Sequence, residues 1–139
     1  MKVIYTAEAT AYGPREGRVV SSDDQLDIEL VRPAEMGGPG GEGTNPEQLF
    51  AGGYAACFFS AMRRPAREMK VDLEGAEVTA QVDLGTDDAR AYKLAVRLEV
   101  KLPNLDAETA QKLLEETHQI CPYSNATRGN VEVQLTVAP

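Results

Sequence analysis

Two cysteines are the side chains best suited to do chemistry in this chain. Cys57 lies in the apolar stretch 49–62, and Cys121 opens the segment CPYSNATRGN at 121–130. Two thiols can be packing residues, because free cysteine is among the most buried residue types. They can also be the two ends of one redox reaction, in which one thiol is oxidised and the other closes a disulfide on it. The surroundings of each cysteine bear on this choice.

Burial alone would make Cys57 inert. An apolar environment raises the pKa of a thiol, and the thiolate is the nucleophile. A reactive Cys57 therefore requires a nearby cation, for which Arg15, Arg18 and Arg128 are the candidates. Without such a cation, the residues around Cys57 favour a packing role.

Cys121 has a different setting, because Pro122 follows it. Proline cannot continue a helix but suits the first position of a new one. Cys121 would then be an N-cap, where free N–H groups and the helix dipole favour a thiolate. The alternative is a simple turn that ends the preceding helix, with Ser124, Asn125 and Gly129 as turn formers. The residues alone favour neither.

The first cysteine is expected on a long apolar helix. Asn45 is a good N-cap, with Pro46 at the first helical position, and Pro65 should end or kink the helix. Residues 49–62 are apolar except for two glycines and Ser60, so this helix has to be buried on all sides. The sheets of one small subunit would not cover it fully, which predicts a second subunit.

A second helix, from about Asp106 to Ile120, has one apolar stripe that Cys121 extends. Strands are predicted at residues 3–12, 26–30, 78–84, 94–102 and 131–137, where apolar and polar residues alternate. Alternation with one polar face indicates antiparallel sheets that are wetted on one side. The glycine-rich segment 34–43 is expected to be a loop and is a candidate for a mobile lid.

Composition and charge exclude several classes of partner. The formal net charge of −8 argues against nucleic acid and anionic membranes. The apolar stretch 49–62 is too short to cross a bilayer, which takes about 20 residues. No signal-peptide pattern is recognised, so the expected compartment is the cytoplasm, where disulfides are transient. No metal or cofactor is expected, and the only histidine, His118, is assigned a surface or capping role.

Three segments resemble the signatures of one protein family: residues 43–50 (GTNPEQLF), 53–58 (GYAACF) and 121–130. They match the organic hydroperoxide resistance proteins, a branch of the OsmC-like family of thiol peroxidases, over nearly the whole chain. The resemblance implies an α+β OsmC-like fold in a single domain, 1–139, with two antiparallel β-sheets packed around two central helices in an intertwined homodimer. Gly52 departs from the family pattern, which has alanine there.

The resemblance also implies catalytic roles for four residues. The cysteine that matches Cys57 is the peroxidatic thiolate, which attacks a hydroperoxide and becomes a sulfenic acid. The cysteine that matches Cys121 resolves it as an intramolecular disulfide. The arginine that matches Arg15 pairs with the thiolate, and the glutamate that matches Glu47 holds this arginine. Guanidinium suits that position because it stays charged and bonds two partners together.

The implied substrates are alkyl and fatty-acid hydroperoxides, which are reduced to alcohols, and the implied reductant is a dihydrolipoyl-bearing protein. Tyr54, Phe58 and Tyr123 are the candidate substrate-binding residues. Apolar side chains near the thiol would favour an alkyl tail by about 0.8 kcal/mol per buried methylene. Two other classes of function stay open for this architecture: a thiol–disulfide oxidoreductase that acts on proteins, and a stress-associated binding module.

The spacing of Glu47 and Cys57 adds a constraint on the site. They are ten residues apart, which is about 15 Å along a straight helix. Either the helix bends near Gly52 and Gly53, or two subunits supply the residues of one site. We predict a two-chain site.

Overall fold

The computed structural model describes residues 1–139, which divide into two compact units, Met1–Leu49 and Phe50–Pro139. The first unit contains a three-stranded antiparallel sheet of β1 (Ala9–Tyr12), β2 (Arg18–Ser21) and β3 (Asp27–Glu29). A single 3₁₀ turn, Ala34–Met36, follows the sheet. Residues 37–43 have no regular structure, as their glycine content predicted. The single-domain organisation stays a prediction.

The first strand is shorter than predicted, because residues 3–8 are not part of β1. β1 pairs with β2 from Ala9 opposite Ser21 to Tyr12 opposite Arg18. Beyond Ser21 the chain turns back towards β3, so the last bond of this ladder runs from Ser22 N to Glu8 O. Alternation in the sequence continues past this point, but the partner strand does not. Period-two patterning therefore overestimates the length of β1.

α1 (Pro46–Met69) starts in the first unit and has most of its length in the second. It begins as predicted: Asn45 Oδ1 accepts a bond of 2.8 Å from Gln48 N. The predicted end at Pro65 is wrong, because the helix continues through this residue to Met69, and the alternative, a kink, stays a prediction. Proline removes one backbone hydrogen bond, at a cost of about 3 kcal/mol. Pro65 and Ala66 are both buried, and this packing offsets the lost bond.

In the single chain, α1 is buried on one face only, whereas the sequence predicted burial on all sides. Tyr54, Phe58, Met62 and Ala66 recur every four residues and are almost completely buried. The opposite face is exposed and consists of small residues: Gly52, Ala56 and Ser60. The chain itself therefore supplies cover for half of the apolar helix.

The second sheet contains β4 (Glu77–Thr86), β5 (Tyr92–Lys101) and β6 (Glu132–Val137), at the three places where strands were predicted. It is not wholly antiparallel as predicted: β4 and β5 pair antiparallel, but β5 and β6 pair parallel. Parallel neighbours need a long crossover connection. Here the crossover is α2 (Ala107–Ile120) and α3 (Pro122–Thr127). Alternation of apolar and polar residues predicts a strand with one solvent-exposed face, but it does not predict the direction of that strand.

The core of the second unit lies between this sheet and the helices. Buried side chains of α1 meet Val96, Leu98 and Val100 of β5 and the stripe of Leu113 and Leu114 on α2. This stripe is the one that the sequence predicted. Cys121 belongs to the same core and is fully buried. None of the helices combines the length and the apolarity that crossing a membrane requires.

Candidate active site

Arg15 and Glu47 form a two-pronged ion pair in the first unit. Arg15 Nη1 and Nη2 donate to Glu47 Oε2 and Oε1 at 2.8 and 2.7 Å. Such paired, charge-assisted bonds fix the guanidinium plane as well as its distance. The contact joins residues 32 positions apart in the chain, so it is a product of the fold. The role that the resemblance implies for Glu47, to hold this arginine during catalysis, stays a prediction.

The turn between β1 and β2 that carries Arg15 depends on two glycines. Gly13 has φ +92°, a conformation that other residues rarely adopt. A Cβ on Gly17 would lie 2.1 Å from the carbonyl oxygen of Tyr12, which leaves no room for a side chain. Gly17 N also donates to Pro14 O at 3.0 Å. The turn is thus tightly closed, and it presents Arg15 to Glu47 in the first turn of α1.

The ion pair keeps Glu47 ionised. Hydrogen bonding to Arg15 lowers the pKa of this carboxyl below its ordinary value of 4.5, against a smaller opposing effect of burial. Its position in the first turn of a helix adds stabilisation of the negative charge. Arg15 therefore faces a permanent carboxylate at neutral pH.

Cys57 and Cys121 form the second pair, in the second unit. Their Sγ atoms are 3.9 Å apart although 64 residues separate them in the chain, and both thiols are free. A disulfide requires about 2.05 Å, so the two sulfurs would have to approach by about 2 Å to bond. Cys121 is fully buried, whereas Cys57 is partly exposed. The geometry gives an accessible thiol and a sheltered thiol within reach of it.

Burial raises the pKa of the Cys57 thiol, as the sequence predicted, and the nearby Cys121 adds to this rise. The backbone N–H of Tyr123 acts in the opposite direction and lowers the pKa of Cys57. This donor is available because Tyr123 lies in the first turn of α3, where N–H groups have no partner within the helix. The start of α3 thus faces the sulfur of Cys57.

Cys121 is the N-cap of α3 and Pro122 its first residue, so the N-cap alternative is confirmed over a simple turn. Cys121 N donates to Thr117 O at 2.9 Å, which is the last bond of α2. Cys121 O accepts from Asn125 N at 2.9 Å, which is the first bond of α3. The backbone of Cys121 is therefore fixed from both sides, and its sulfur is held with it.

A buried polar network that the sequence did not predict lies beside Cys121. Ser124 is fully buried, and its Oγ is 2.9 Å from the Tyr54 hydroxyl and 2.8 Å from His118 Nδ1. Thr127 Oγ1 lies 3.3 Å from the same tyrosine hydroxyl. The network ties α1, α2 and α3 together. The spacing HxxxxxSxxT of His118, Ser124 and Thr127 across a helix break matches no recognised motif, so only the fold could reveal the network.

His118 is half-buried and belongs to this network, so it is more than the surface or capping residue that was expected. Burial lowers its pKa, and the charge of Arg128 lowers it further. Arg128 Nη2 also donates to His118 O at 2.5 Å, and Nη1 donates to Asn125 Oδ1 at 2.8 Å. Arg128, a candidate cation for Cys57, thus bonds the end of α2 to α3.

Of the three candidate substrate-binding residues, Tyr54 and Phe58 are fully buried, and Tyr123 is 37% exposed. The Tyr123 ring packs against Phe50 and Tyr54, with ring centres 6.0 and 5.6 Å away. It also lines a cavity of about 430 Å³, together with Phe50, Leu94, Ala126, Thr127, Asn130 and Val131. Substrate contact at Tyr54 and Phe58 stays a prediction, and both pack in the core.

The structure therefore brings the four proposed catalytic residues together as two pairs, Arg15 with Glu47 and Cys57 with Cys121. The other candidate cation, Arg18, binds Asp27 on the exposed sheet surface at 2.6 Å. α1 is helical throughout, including Gly52 and Gly53, so it has no break there. The two-chain site stays a prediction. No group of three or more potential metal ligands is present.

Comparisons with known proteins identify the family. A model of OsmC-like proteins matches residues 38–136. The chain belongs to the OsmC-like family. The organic hydroperoxide resistance protein of Xanthomonas axonopodis pv. citri is 52% identical over 138 residues, which cover 99% of this chain and 96% of the relative. This places the OsmC-like chain in the organic hydroperoxide resistance branch, as its three signature segments predicted.

Solved structures agree with this placement. An organic hydroperoxide resistance protein from Legionella pneumophila has a TM-score of 0.92 at 46% identity, covering 99% of this chain and all of the other. OhrB of Bacillus subtilis, also an organic hydroperoxide resistance protein, has a TM-score of 0.86 at 45% identity, covering 96% and 98%. The α+β fold with two small sheets is therefore that of the family.

Proposed function

We propose that this protein is a thiol-dependent peroxidase that reduces organic hydroperoxides to alcohols. The observation that carries the proposal is the pair of free thiols, Cys57 and Cys121, with sulfurs 3.9 Å apart across 64 residues. Relatives at 52% and 45% identity are organic hydroperoxide resistance proteins, which supports the substrate class.

In the first step, the Cys57 thiolate attacks the hydroxyl oxygen of the hydroperoxide. The O–O bond breaks, the alkoxide takes up a proton and leaves as the alcohol, and Cys57 becomes a sulfenic acid. Cys57 is suited to this step because it is the partly exposed thiol of the pair. Its raised pKa opposes the step, so the reaction needs a cation to stabilise the thiolate. We assign that role to Arg15, which Glu47 orients.

In the second step, Cys121 attacks the sulfur of the Cys57 sulfenic acid. The S–O bond breaks, water leaves, and a disulfide joins the two residues. The full burial of Cys121 supports this assignment, because a sheltered thiol reacts with its neighbour rather than with solvent oxidants. A dithiol reductant then returns two electrons and two protons. We propose a dihydrolipoyl-bearing protein for that reaction, and the cytoplasm as its compartment.

The cavity beside Tyr123 supports an organic substrate over hydrogen peroxide. It is lined mainly by apolar groups, including Phe50, Leu94 and Val131, and its volume of about 430 Å³ exceeds that of a small inorganic peroxide. An alkyl tail in such a cavity gains about 0.8 kcal/mol per buried methylene. Tyr123 lines this cavity, and its backbone N–H acts on the sulfur of Cys57.

The proposal is tested by adding one equivalent of tert-butyl hydroperoxide, a fatty-acid hydroperoxide or hydrogen peroxide to the reduced protein and counting free thiols over time. Both thiols should disappear within seconds with the organic hydroperoxides and much more slowly with hydrogen peroxide. Cys57→Ser should abolish the reaction. Cys121→Ser should still consume one peroxide but stop at the sulfenic acid. Thiols that persist with every peroxide would refute a peroxidase and leave the protein-disulfide or binding alternatives.

A further inference from the structure

The ring of Tyr123 lies directly on the backbone of α1 at Gly53. A Cβ built on Gly53 would be 2.8 Å from the Tyr123 hydroxyl oxygen and 3.3 Å from Cε2 and Cζ of the ring. A Cβ atom essentially never lies so close to another heavy atom, so a side chain at residue 53 would force the Tyr123 ring or its surroundings to shift. The contact exists only because residue 53 has no side chain. The neighbouring Gly52 differs completely, since nothing lies within 4 Å of a Cβ placed there.

This contact lies next to the two thiols. Gly53 is one helical turn before Cys57 on α1, so the two residues share a face of the helix. Tyr123 follows Cys121 by two residues at the start of α3. The Gly53–Tyr123 contact and the Cys57–Cys121 contact are therefore adjacent links between the same two helices. We expect a change in the Gly53–Tyr123 contact to alter the distance between the Cys57 and Cys121 sulfurs.

The tyrosine has little freedom to move aside. Phe50 and Tyr54 lie one turn before and just after Gly53 on α1, and their rings pack on Tyr123 with centres 6.0 and 5.6 Å away. A methyl group on residue 53 would therefore displace the start of α3 rather than rotate the Tyr123 ring alone. The backbone N–H of Tyr123, which acts on the sulfur of Cys57, would move with it.

We propose that Gly53 is a positioning residue, whose missing side chain lets Tyr123 lie against α1 and so sets the distance between the Cys57 and Cys121 sulfurs for disulfide closure. This inference rests on the proposed dithiol chemistry. It assigns the distance to a backbone–ring contact, which is distinct from the thiols themselves and from the Arg15–Glu47 pair.

Disulfide closure can be measured without any peroxide, so that failure of the inference and failure of the peroxidase proposal are separable. The reduced protein is mixed with 5,5′-dithiobis(2-nitrobenzoate). Attack by Cys57 forms a mixed disulfide and releases one thionitrobenzoate. Attack by Cys121 on the sulfur of Cys57 then breaks that mixed disulfide and releases the second. The first phase depends on reagent concentration and the second does not, so the closure rate is read directly.

Gly53→Ala should slow the second phase about tenfold or more relative to the first, because small displacements of reacting atoms are costly. Gly52→Ala is the matched control and should leave the closure rate within about twofold. Adding Tyr123→Phe to Gly53→Ala removes the atom nearest to the new methyl group. Closure in this double variant should return to within about threefold of Tyr123→Phe alone, by the logic of a double-mutant cycle.

Tyr123→Ala keeps Gly53 and removes the ring, and it should slow closure as well, so the inference stays testable if Gly53→Ala does not fold. Closure that is equally fast in the Gly53→Ala and Gly52→Ala variants would overturn the inference. Slow closure that Tyr123→Phe does not restore, or unchanged closure in Tyr123→Ala, would overturn it too. Two normal phases with this reagent but no reaction with hydroperoxides would instead count against the peroxidase proposal.

Discussion

At the scale of single residues, the proposed chemistry depends on how the partly buried thiol of Cys57 becomes reactive. Burial and the neighbouring Cys121 raise the pKa of Cys57, and the N–H of Tyr123 opposes this rise. One backbone hydrogen bond lowers the pKa of Cys57 by less than desolvation raises it. We propose that Arg15 supplies the missing charge, and the bidentate bond to Glu47 fixes its guanidinium.

The role of Arg15 predicts a change in the pH dependence of Cys57. A thiol reacts as its thiolate, so alkylation by iodoacetamide speeds up as the pH rises through the pKa. Arg15→Met should move this profile of Cys57 to higher pH, because a cation that favours the thiolate is lost. Arg18→Met is the matched control, since Arg18 binds Asp27 on the exposed sheet surface. Equal profiles for both variants would remove Arg15 from the mechanism.

The Arg15–Glu47 pair also predicts a pH-dependent contribution to stability. The folded-state pKa of Glu47 lies below its ordinary value of 4.5, so its contribution is fully present above that value. It is lost as the pH falls through the lower, folded-state pKa. Glu47→Gln should therefore lower the free energy of unfolding by about 1 kcal/mol at pH 7. Urea titrations should show that the difference disappears in acid, and a difference independent of pH would contradict the account.

At the scale of elements, three helices hold the thiols in place. α2 ends and α3 begins at Cys121, while α1 carries Cys57. The sequence predicted α1 and the end of α2, because caps and prolines are local signals, but it left the start of α3 open between an N-cap and a simple turn. It did not predict the bond from Tyr54 to Ser124 or the packing of Tyr123 on Gly53, because each of these contacts joins residues 70 positions apart. The parallel β6 and the intact helix at Pro65 depend on tertiary packing in the same way.

Ser124 lies where the three helices are connected, and removing its hydroxyl tests how much that connection stabilises the fold. Its hydroxyl bonds both Tyr54 and His118 in a buried place, so Ser124→Ala leaves polar partners without their bonds. We expect a loss of about 1–3 kcal/mol in the free energy of unfolding. Ser22→Ala is the matched control, because Ser22 is exposed, and it should change stability by less than about 0.5 kcal/mol. Equal effects in urea unfolding would show that the network contributes nothing.

At the scale of the whole molecule, we propose that a second copy of the chain covers the exposed apolar surface. Val3, Ile4 and Tyr5 are 64%, 96% and 78% exposed, and one face of the apolar α1 is open. In the first unit, Leu30 is the only large apolar side chain among its buried residues. A unit with so small a hydrophobic core needs apolar contacts from outside the unit to be stable. Such surfaces are typical of association sites, and two-fold dimers are the commonest assembly.

The dimer proposal predicts a mass of about 30 kDa in solution, twice that of one chain. Ala56→Arg places a charge on the open face of α1 and should shift the protein towards the 15.0 kDa monomer in sedimentation equilibrium. Ala107→Arg makes the same change at an exposed position in the first turn of α2 and should leave the dimer intact. A wild-type monomer, or a dimer that tolerates Ala56→Arg, would remove this face from the interface.

The proposed peroxidase activity depends on Cys57 and Cys121 acting as one dithiol towards organic hydroperoxides. The most direct measurement is a titration of the reduced protein with cumene hydroperoxide, in which free thiols and the alcohol product are counted together. The account predicts that each equivalent of hydroperoxide removes two thiols and yields one alcohol, with a Cys57–Cys121 disulfide as the protein product. Thiols that survive the titration, or oxidation that stops at one cysteine of the wild-type chain, would contradict it.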